Sequence, residues 1–248
     1  MARDCGPVGG IAVLLLCAAS ACAGPDRDAL RRIVQDQCLP HWRSQRAAAP
    51  CLRVVVPDPP HQREGYAVLA DRKGGAHFLL IPTATIAGVE SPELRDPAAP
   101  NFFEDAWRAR ALLAVRIGHG VDRAATGLAL NPRHARSQDQ LHIHIECLRP
   151  DFAASLGAAA RDIGGTWAPV EVGGSRYLAI RAAGEELRDN PIASLAAQRP
   201  ETAADMADYS FVVAGMRFAG APGFIVLAGN GPAGELSLDP TCALATLK

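Results

Sequence analysis

The 248-residue chain is poor in aromatic residues, at 5%, and has no surplus of charge of either sign. Its 25 Lys and Arg face 26 Asp and Glu, a formal net charge of −1. A protein that neutralises nucleic-acid phosphates needs a basic excess, so this balance argues against a nucleic-acid partner. With few large rings, the core has to be filled by Ala, Leu and Val, while 23 Gly and 19 Pro imply many turns. No CxxC occurs, which removes zinc ribbons and thioredoxin-type motifs. Internal repeats and low-complexity segments are also missing. The charged fraction of 21% and hydrophobic fraction of 49% are ordinary for a globular domain, so wholesale disorder is excluded.

One apolar run stands out. Residues Gly6 to Gly24 lie in an uncharged stretch between Asp4 and Asp26, and the most apolar part runs from Ile11 to Ala23. A membrane span needs about 20 residues, and this one is short. A short apolar stretch followed by small residues is the pattern of a secretory signal, with cleavage sites at Ala19-Ser20-Ala21 and Ala21-Cys22-Ala23. Retention as a single-span anchor and lipidation at Cys22 are the alternatives. Residues 1–24 are therefore read as a signal peptide or membrane anchor, and 25–248 as one exported domain. Cys5, Cys17 and Cys22 fall in the leader, which leaves Cys38, Cys51, Cys147 and Cys242. An even set in an oxidising compartment implies two disulfides in one of three pairings. Cys38–Cys51 is the local pair, and Cys147–Cys242 then follows; four buried thiols are the alternative.

Helical spacing covers Asp26 to Cys38, with Leu30, Ile33 and Val34 on one face and Asp26 as N-cap. Leu52 to Val56 is a short strand candidate. Tyr66–Asp71 and His77–Ile81 flank Lys73-Gly74-Gly75 in a hairpin pattern. Asn101 can cap a helix running to about Gly118. Strands are expected over Gly127–Asn131 and Gln140–Leu148, and again at Tyr177–Arg181, Ser210–Phe218 and Phe224–Ala228. Helices are expected over Phe152–Ile163 and Glu201–Tyr209. Interspersed helices and hairpin-linked strands point to an α+β fold with a largely antiparallel sheet flanked by helices.

The run Ser137 to Leu148, SQDQLHIHIECL, alternates polar and apolar residues from Gln140 onward. On a strand, Leu141, Ile143, Ile145 and Cys147 face one side, and Gln140, His142, His144 and Glu146 the other. Paired imidazoles between a carboxamide and a carboxylate form a reactive row, although an isolated HxH more often has no chemical role. Two such His with Glu146 could ligate zinc, but His41, His61, His77, His119 and His134 are scattered, so no metal site is assigned.

The segments GLALNPRHARSQDQLHIHIECLRP, FLLIPTATIAGVESPEL and PNFFEDAWRAR resemble the CDP-diacylglycerol pyrophosphatase family, within the histidine triad (HIT) superfamily. The likeness is strongest over about residues 65–152 and extends more weakly from Cys38 to the C-terminus. It implies a HIT-like fold and metal-independent attack by a histidine on a phosphoanhydride, with no cofactor. The superfamily pattern is a His-x-His-x-His row with a nucleophilic middle His, often preceded by Gln four residues before the first. Gln138 stands four before His142, which makes His142 first, His144 the nucleophile, and Glu146 the occupant of the third place. In the other register, Gln140 is first and His142 attacks. Gln138 and Ser137 would stabilise charge on the phosphate, with Gln140 beside the row, and Asn131 resembles a residue facing the nucleotide phosphates. Arg133, Arg136 and Arg149 are phosphate contacts by proximity. The implied reaction is hydrolysis of CDP-diacylglycerol, a lipid-linked nucleotide, to CMP and phosphatidate; the alternatives are hydrolysis or nucleotidyl transfer on a soluble nucleotide conjugate, or non-catalytic nucleotide binding, with no obligate protein partner evident. The implied location is the periplasm, or the periplasmic face of the inner membrane.

Overall fold

The computed structural model describes residues 26–246; the leader, with its cleavage and anchoring alternatives, lies outside them. The fold is α+β, as the sequence pattern predicts. Strands β1 (Arg53–Val55), β2 (Tyr66–Ala70), β3 (Phe78–Pro82), β4 (Thr126–Leu130), β5 (Ile143–Leu148), β6 (Ala168–Val172), β7 (Ser175–Ala183), β8 (Tyr209–Phe218), β9 (Ala221–Asn230) and β10 (Leu238–Asp239) form one sheet. The order is β1-β2-β3-β5-β4-β8-β9-β7-β6, every pairing is antiparallel, and β10 joins the end of β5.

The hairpin at Lys73-Gly74-Gly75 forms as its sequence requires, with Tyr66 opposite Pro82 and Ala70 opposite Phe78. Gly74 and Gly75 supply positive φ values of 79° and 70°, which a side chain would resist. Asn101 caps α3 (Phe102–Ala109), its side chain accepting from the Glu104 N–H, and α4 (Ala111–Ile117) ends on the left-handed Gly118. At the N-terminus, α1 (Ala29–Arg32) passes through π-helical turns at Ile33–Cys38 into α2 (Leu39–Gln45), a longer helical arm than the spacing suggested. Helix α5 (Pro150–Ala159) replaces the expected Phe152–Ile163 span. The chain closes with α7 (Ala243–Thr246).

Two further expectations are corrected, and one helix that the pattern missed is added. Glu201–Tyr209 is not a helix but two short 3₁₀ turns, Pro200–Ala203 and Met206–Asp208. Only Thr202 and Met206 of those turns are buried, too little to anchor a helix face. The helix lies just upstream as α6 (Pro191–Gln198), where Asn190 accepts from the Ile192 and Ala193 N–H groups and Pro191 takes N1. Finally, β5 begins at Ile143 rather than Gln140, because the backbone of Leu141 donates sideways to Ile86 O.

The sheet has two unlike faces. Phe78, Leu80, Ile143, Ile145, Leu128, Phe211 and Phe224 pack beneath Phe103, Trp107 and Leu113 of α3 and α4. On the other face, one cross-strand row reads Leu79, His144, Ala129, Val212, Leu227 and Ala179. Leu79 belongs to the cluster under the N-terminal arm, with Leu30, Val34 and Leu39. Ala129, Val212 and Leu227 belong to the cluster under Phe152 and Leu156 of α5. His144 therefore lies between these two covers.

Both expected disulfides are present, Cys38–Cys51 spanning 13 residues and Cys147–Cys242 spanning 95. On loop entropy, the shorter bridge contributes about 3 kcal/mol and the longer one about 4.7 kcal/mol. Chemical denaturation of Cys38→Ser/Cys51→Ser and Cys147→Ser/Cys242→Ser should show the second pair losing more stability. An equal or reversed order contradicts this.

Candidate active site

Strand β5 supplies the reactive row. Leu141, Ile143, Ile145 and Cys147 enter the core as the alternation requires, and Gln140, His142, His144 and Glu146 take the opposite side. That side is not half exposed: all four are buried, at 1%, 5%, 4% and 3%. Polar groups so enclosed need partners, and those partners define the site.

Each histidine has a distinct environment. His142 Nδ1 lies 2.7 Å from the backbone oxygen of Gln140. A carbonyl oxygen only accepts, so Nδ1 carries the proton and Nε2 holds the lone pair. His144 Nδ1 lies 2.9 Å from Nε2 of His77, whose ring stacks on it at 5.1 Å between centroids. Its Nε2 is buried without a hydrogen-bond partner, 3.5 Å from the carboxylate of Glu235. His142 and His144 are tilted neighbours, with centroids 5.2 Å apart.

His77 comes alongside by register. Phe78 pairs with Ile145, so the residue before β3 falls beside Glu146. His77 Nε2 is 3.0 Å from Glu146 Oε1, and His144 Nδ1 is 3.9 Å from the same oxygen. These three buried groups are close enough together to share a metal ion, and their separations equally suit hydrogen bonds.

Burial decides the protonation of the cluster. Removal from water lowers the proton affinity of His77, His142 and His144. His144 falls furthest, because His142, His77 and Lys73 add repulsion. Burial, reinforced by Glu235 and Asp71, pushes Glu146 up to about 8. At neutral pH the row thus holds neutral imidazoles and a carboxylic acid that can donate a proton.

A pocket of about 360 Å³ opens over His142 and His144. Its walls include Ala29, Leu30 and Ile33 of the N-terminal arm, Leu69 and Leu79 of the sheet, and Asn131, Ser137, Gln138 and Glu235. A larger cleft of about 580 Å³ lies between Pro60–Glu64 and Glu93–Pro100 and includes neither histidine of the row. The smaller one, which holds both histidines of the row, is the candidate active site.

Of the sequence-selected residues, His142, His144, Asn131, Ser137 and Gln138 meet at this pocket, whereas Gln140 and Arg136 do not line it. Gln140 donates to Pro82 O and Ala84 O and braces the loop beyond β3. Arg136 is buried between Glu90 and Asp139, with bonds of 2.6–3.2 Å. The Gln138 amide is also occupied: it accepts from Leu30 N and donates to Asp26 O and Ser137 O. Its contribution is to fix the N-terminal arm over the pocket. Asn131 accepts from the backbone N–H of Glu235. Gly234 permits that contact, because a Cβ there would meet Phe211 O at 2.9 Å and Leu130 O at 3.0 Å.

Sequence reasoning missed Glu235, Asp71 and the neighbouring turn residues Arg72 and Lys73, which also line the pocket. Nothing local marks Glu235; the hairpin pattern placed the turn but not what the turn faces. His77 was noticed, yet its pairing with His144 depends on strand order.

The Glu146 environment carries a stability prediction. Its folded proton affinity exceeds the ordinary value of 4.5, so the native state binds the extra proton between about 4.5 and about 8. Stability contributed by this group therefore falls as pH rises through that interval and levels off above it. Glu146→Gln should remove the slope, gaining on the wild type up to pH of about 8 in denaturation curves. Parallel curves contradict it.

The comparisons agree with the motif. The family model described as CDP-diacylglycerol pyrophosphatase matches residues 25–245. The CDP-diacylglycerol pyrophosphatase of Yersinia pestis is 39% identical over 189 residues, covering 75% of this chain and 71% of that protein. The family-model match takes in nearly the whole described fold, including every residue lining the histidine pocket. The chain belongs to the CDP-diacylglycerol pyrophosphatase family.

Proposed function

We propose that this protein hydrolyses the phosphoanhydride of CDP-diacylglycerol to CMP and phosphatidate through a cytidylyl-histidine. Family membership supports the substrate, and one hydrogen bond supports the chemistry: Gln140 O fixes the His142 tautomer at 2.7 Å. In the first step the His142 Nε2 lone pair attacks the cytidine-bearing phosphorus. A P–N bond forms, the P–O bond to the lipid phosphate breaks, and phosphatidate leaves with the electron pair. Water then attacks the same phosphorus: a P–O bond forms, the P–N bond breaks with its electron pair returning to His142, the surplus proton of the water passes to solvent, and CMP is released.

The spacing from Gln138 assigned the attack to His144, with His142 in support. Hydrogen bonding favours the other register, with Gln140 first and His142 in the middle. His142 has a fixed tautomer, whereas the His144 proton depends on His77, whose Nε2 can either donate or accept. His144 then serves as a neighbouring donor to the phosphate oxygens, its Nδ1 accepting from His77. In this register His144 takes the third place, and Glu146, kept protonated by burial, lies 3.9 Å from its Nδ1.

Export by the apolar leader would place this site where a membrane substrate can reach it. Among the described residues, no helix is long and apolar enough to cross a membrane. The apolar wall of Ala29, Leu30, Ile33, Leu69 and Leu79 suits the glycerol side of the substrate, and the histidines its pyrophosphate.

Acid quench during turnover of cytidine-labelled CDP-diacylglycerol tests the scheme. The wild type should carry an acid-labile, base-stable label. His142→Ala should show neither label nor CMP release, while His144→Ala should keep the label with a rate lower by about 10²–10³. A label that survives in His142→Ala and disappears in His144→Ala restores the Gln138 register. Loss of activity on chelation would instead favour a metal at His77, His144 and Glu146. Because burial keeps the histidines neutral, the acid limb of kcat/KM should lie below pH 6.5.

A further inference from the structure

Cleaving a pyrophosphate diester requires positive charge on its phosphates, and the arginines the sequence offers for this are committed elsewhere. Arg136 is held by Glu90 and Asp139, Arg133 reaches Glu90, and Arg149 pairs with Asp151. Arg27, at the edge of the site, forms a bidentate pair with Asp139 at 2.6 and 2.9 Å. A pocket served by these groups alone would offer a phosphate no free cation.

Two cations do line it. Arg72 and Lys73 sit at the turn between β2 and β3, exposed, and line the same pocket as His142 and His144. Among the described residues, neither side chain has a carboxylate or hydrogen-bond partner. The turn itself is firmly built: Asp71 accepts the Lys73 N–H at 2.7 Å, Gly74 N bonds to Asp71 O, and Ala76 N bonds to Pro240 O. Lys73 is close enough to repel protons from His77 and His144. The chain has two lysines, Lys73 and Lys248, against 23 arginines. A flexible ammonium with three rotatable donors can follow charge as it moves from bridging to leaving oxygen, which a planar guanidinium does less readily.

We infer that Arg72 and Lys73 bind the pyrophosphate of the substrate from the hairpin turn, opposite the attacking imidazole. This rests on the reading under Proposed function for the substrate, but the clamp can be tested without turnover.

The full-length protein and its Arg72→Met, Lys73→Met and double variants are titrated with inorganic pyrophosphate by calorimetry and assayed with CDP-diacylglycerol. Both side chains are exposed on a turn fixed by backbone bonds, so melting temperatures should stay together. Each single variant should lose about tenfold in kcat/KM and the double variant at least about 100-fold, with a parallel loss of pyrophosphate affinity. Lys73→Arg should recover binding better than turnover. A double variant that binds pyrophosphate like the wild type overturns the inference, as does a wild type that takes up none. If the wild type binds pyrophosphate through these residues but releases no CMP, the clamp stands and the assigned reaction fails.

Discussion

A single strand, β5, has to serve a hydrophobic core on one face and a buried polar row on the other. Ile143, Ile145 and Cys147 anchor it in the main cluster, and hydrogen bonding to β3 and β4 fixes its position to one residue. A slip of one residue would bury the histidines among Phe78 and Leu128 and turn isoleucines into the pocket. The apolar face therefore sets the register, and the register places the chemistry. Because neighbours flank β5 on both sides, the row lies in a low-dielectric setting that keeps imidazoles neutral and Glu146 protonated.

Around that strand, the rim of the site is held by charge. Arg136 joins Glu90 to Asp139, Asp139 holds Arg27, and Gln138 fastens the backbone at Asp26 and Leu30. Exposed ion pairs contribute little singly, but this set is anchored on a guanidinium only 5% exposed. It gathers the Asn131–Leu141 loop, the Ile86–Glu90 loop and the N-terminal arm into one wall. The residues that resembled phosphate ligands thus shape the pocket, and the contact with phosphate passes to the hairpin turn. The helical arm that completes the wall begins at Ala29 and brings Leu30 and Ile33 to the pocket lining.

Much of this was legible in the linear sequence, for reasons local to each element. The period-two alternation of QLHIHIEC determined which side chains share a face, since a strand permits no other arrangement. Asn101 as a cap and the Gly-Gly turn after Lys73 each follow from short-range chemistry, and the even count of cysteines beyond residue 24 pointed to two bridges. The polar segment at Glu201–Tyr209 failed because helical composition without a buried face does not make a helix, and α6 was overlooked although Asn190-Pro191 announces it. Tertiary structure alone decided what surrounds the row. His77 lies 67 residues from His144, Glu235 lies 91 residues beyond it (235 − 144 = 91), and only the strand order brings them within 2.9 and 3.5 Å. Likewise, the same guanidinium can bind a carboxylate or a phosphate, and which one it meets depends on the loop folded against it. Residue type and spacing therefore fixed the kind of chemistry available, while burial and long-range pairing decided which histidine has a fixed tautomer and which cations lining the pocket are left without a carboxylate partner.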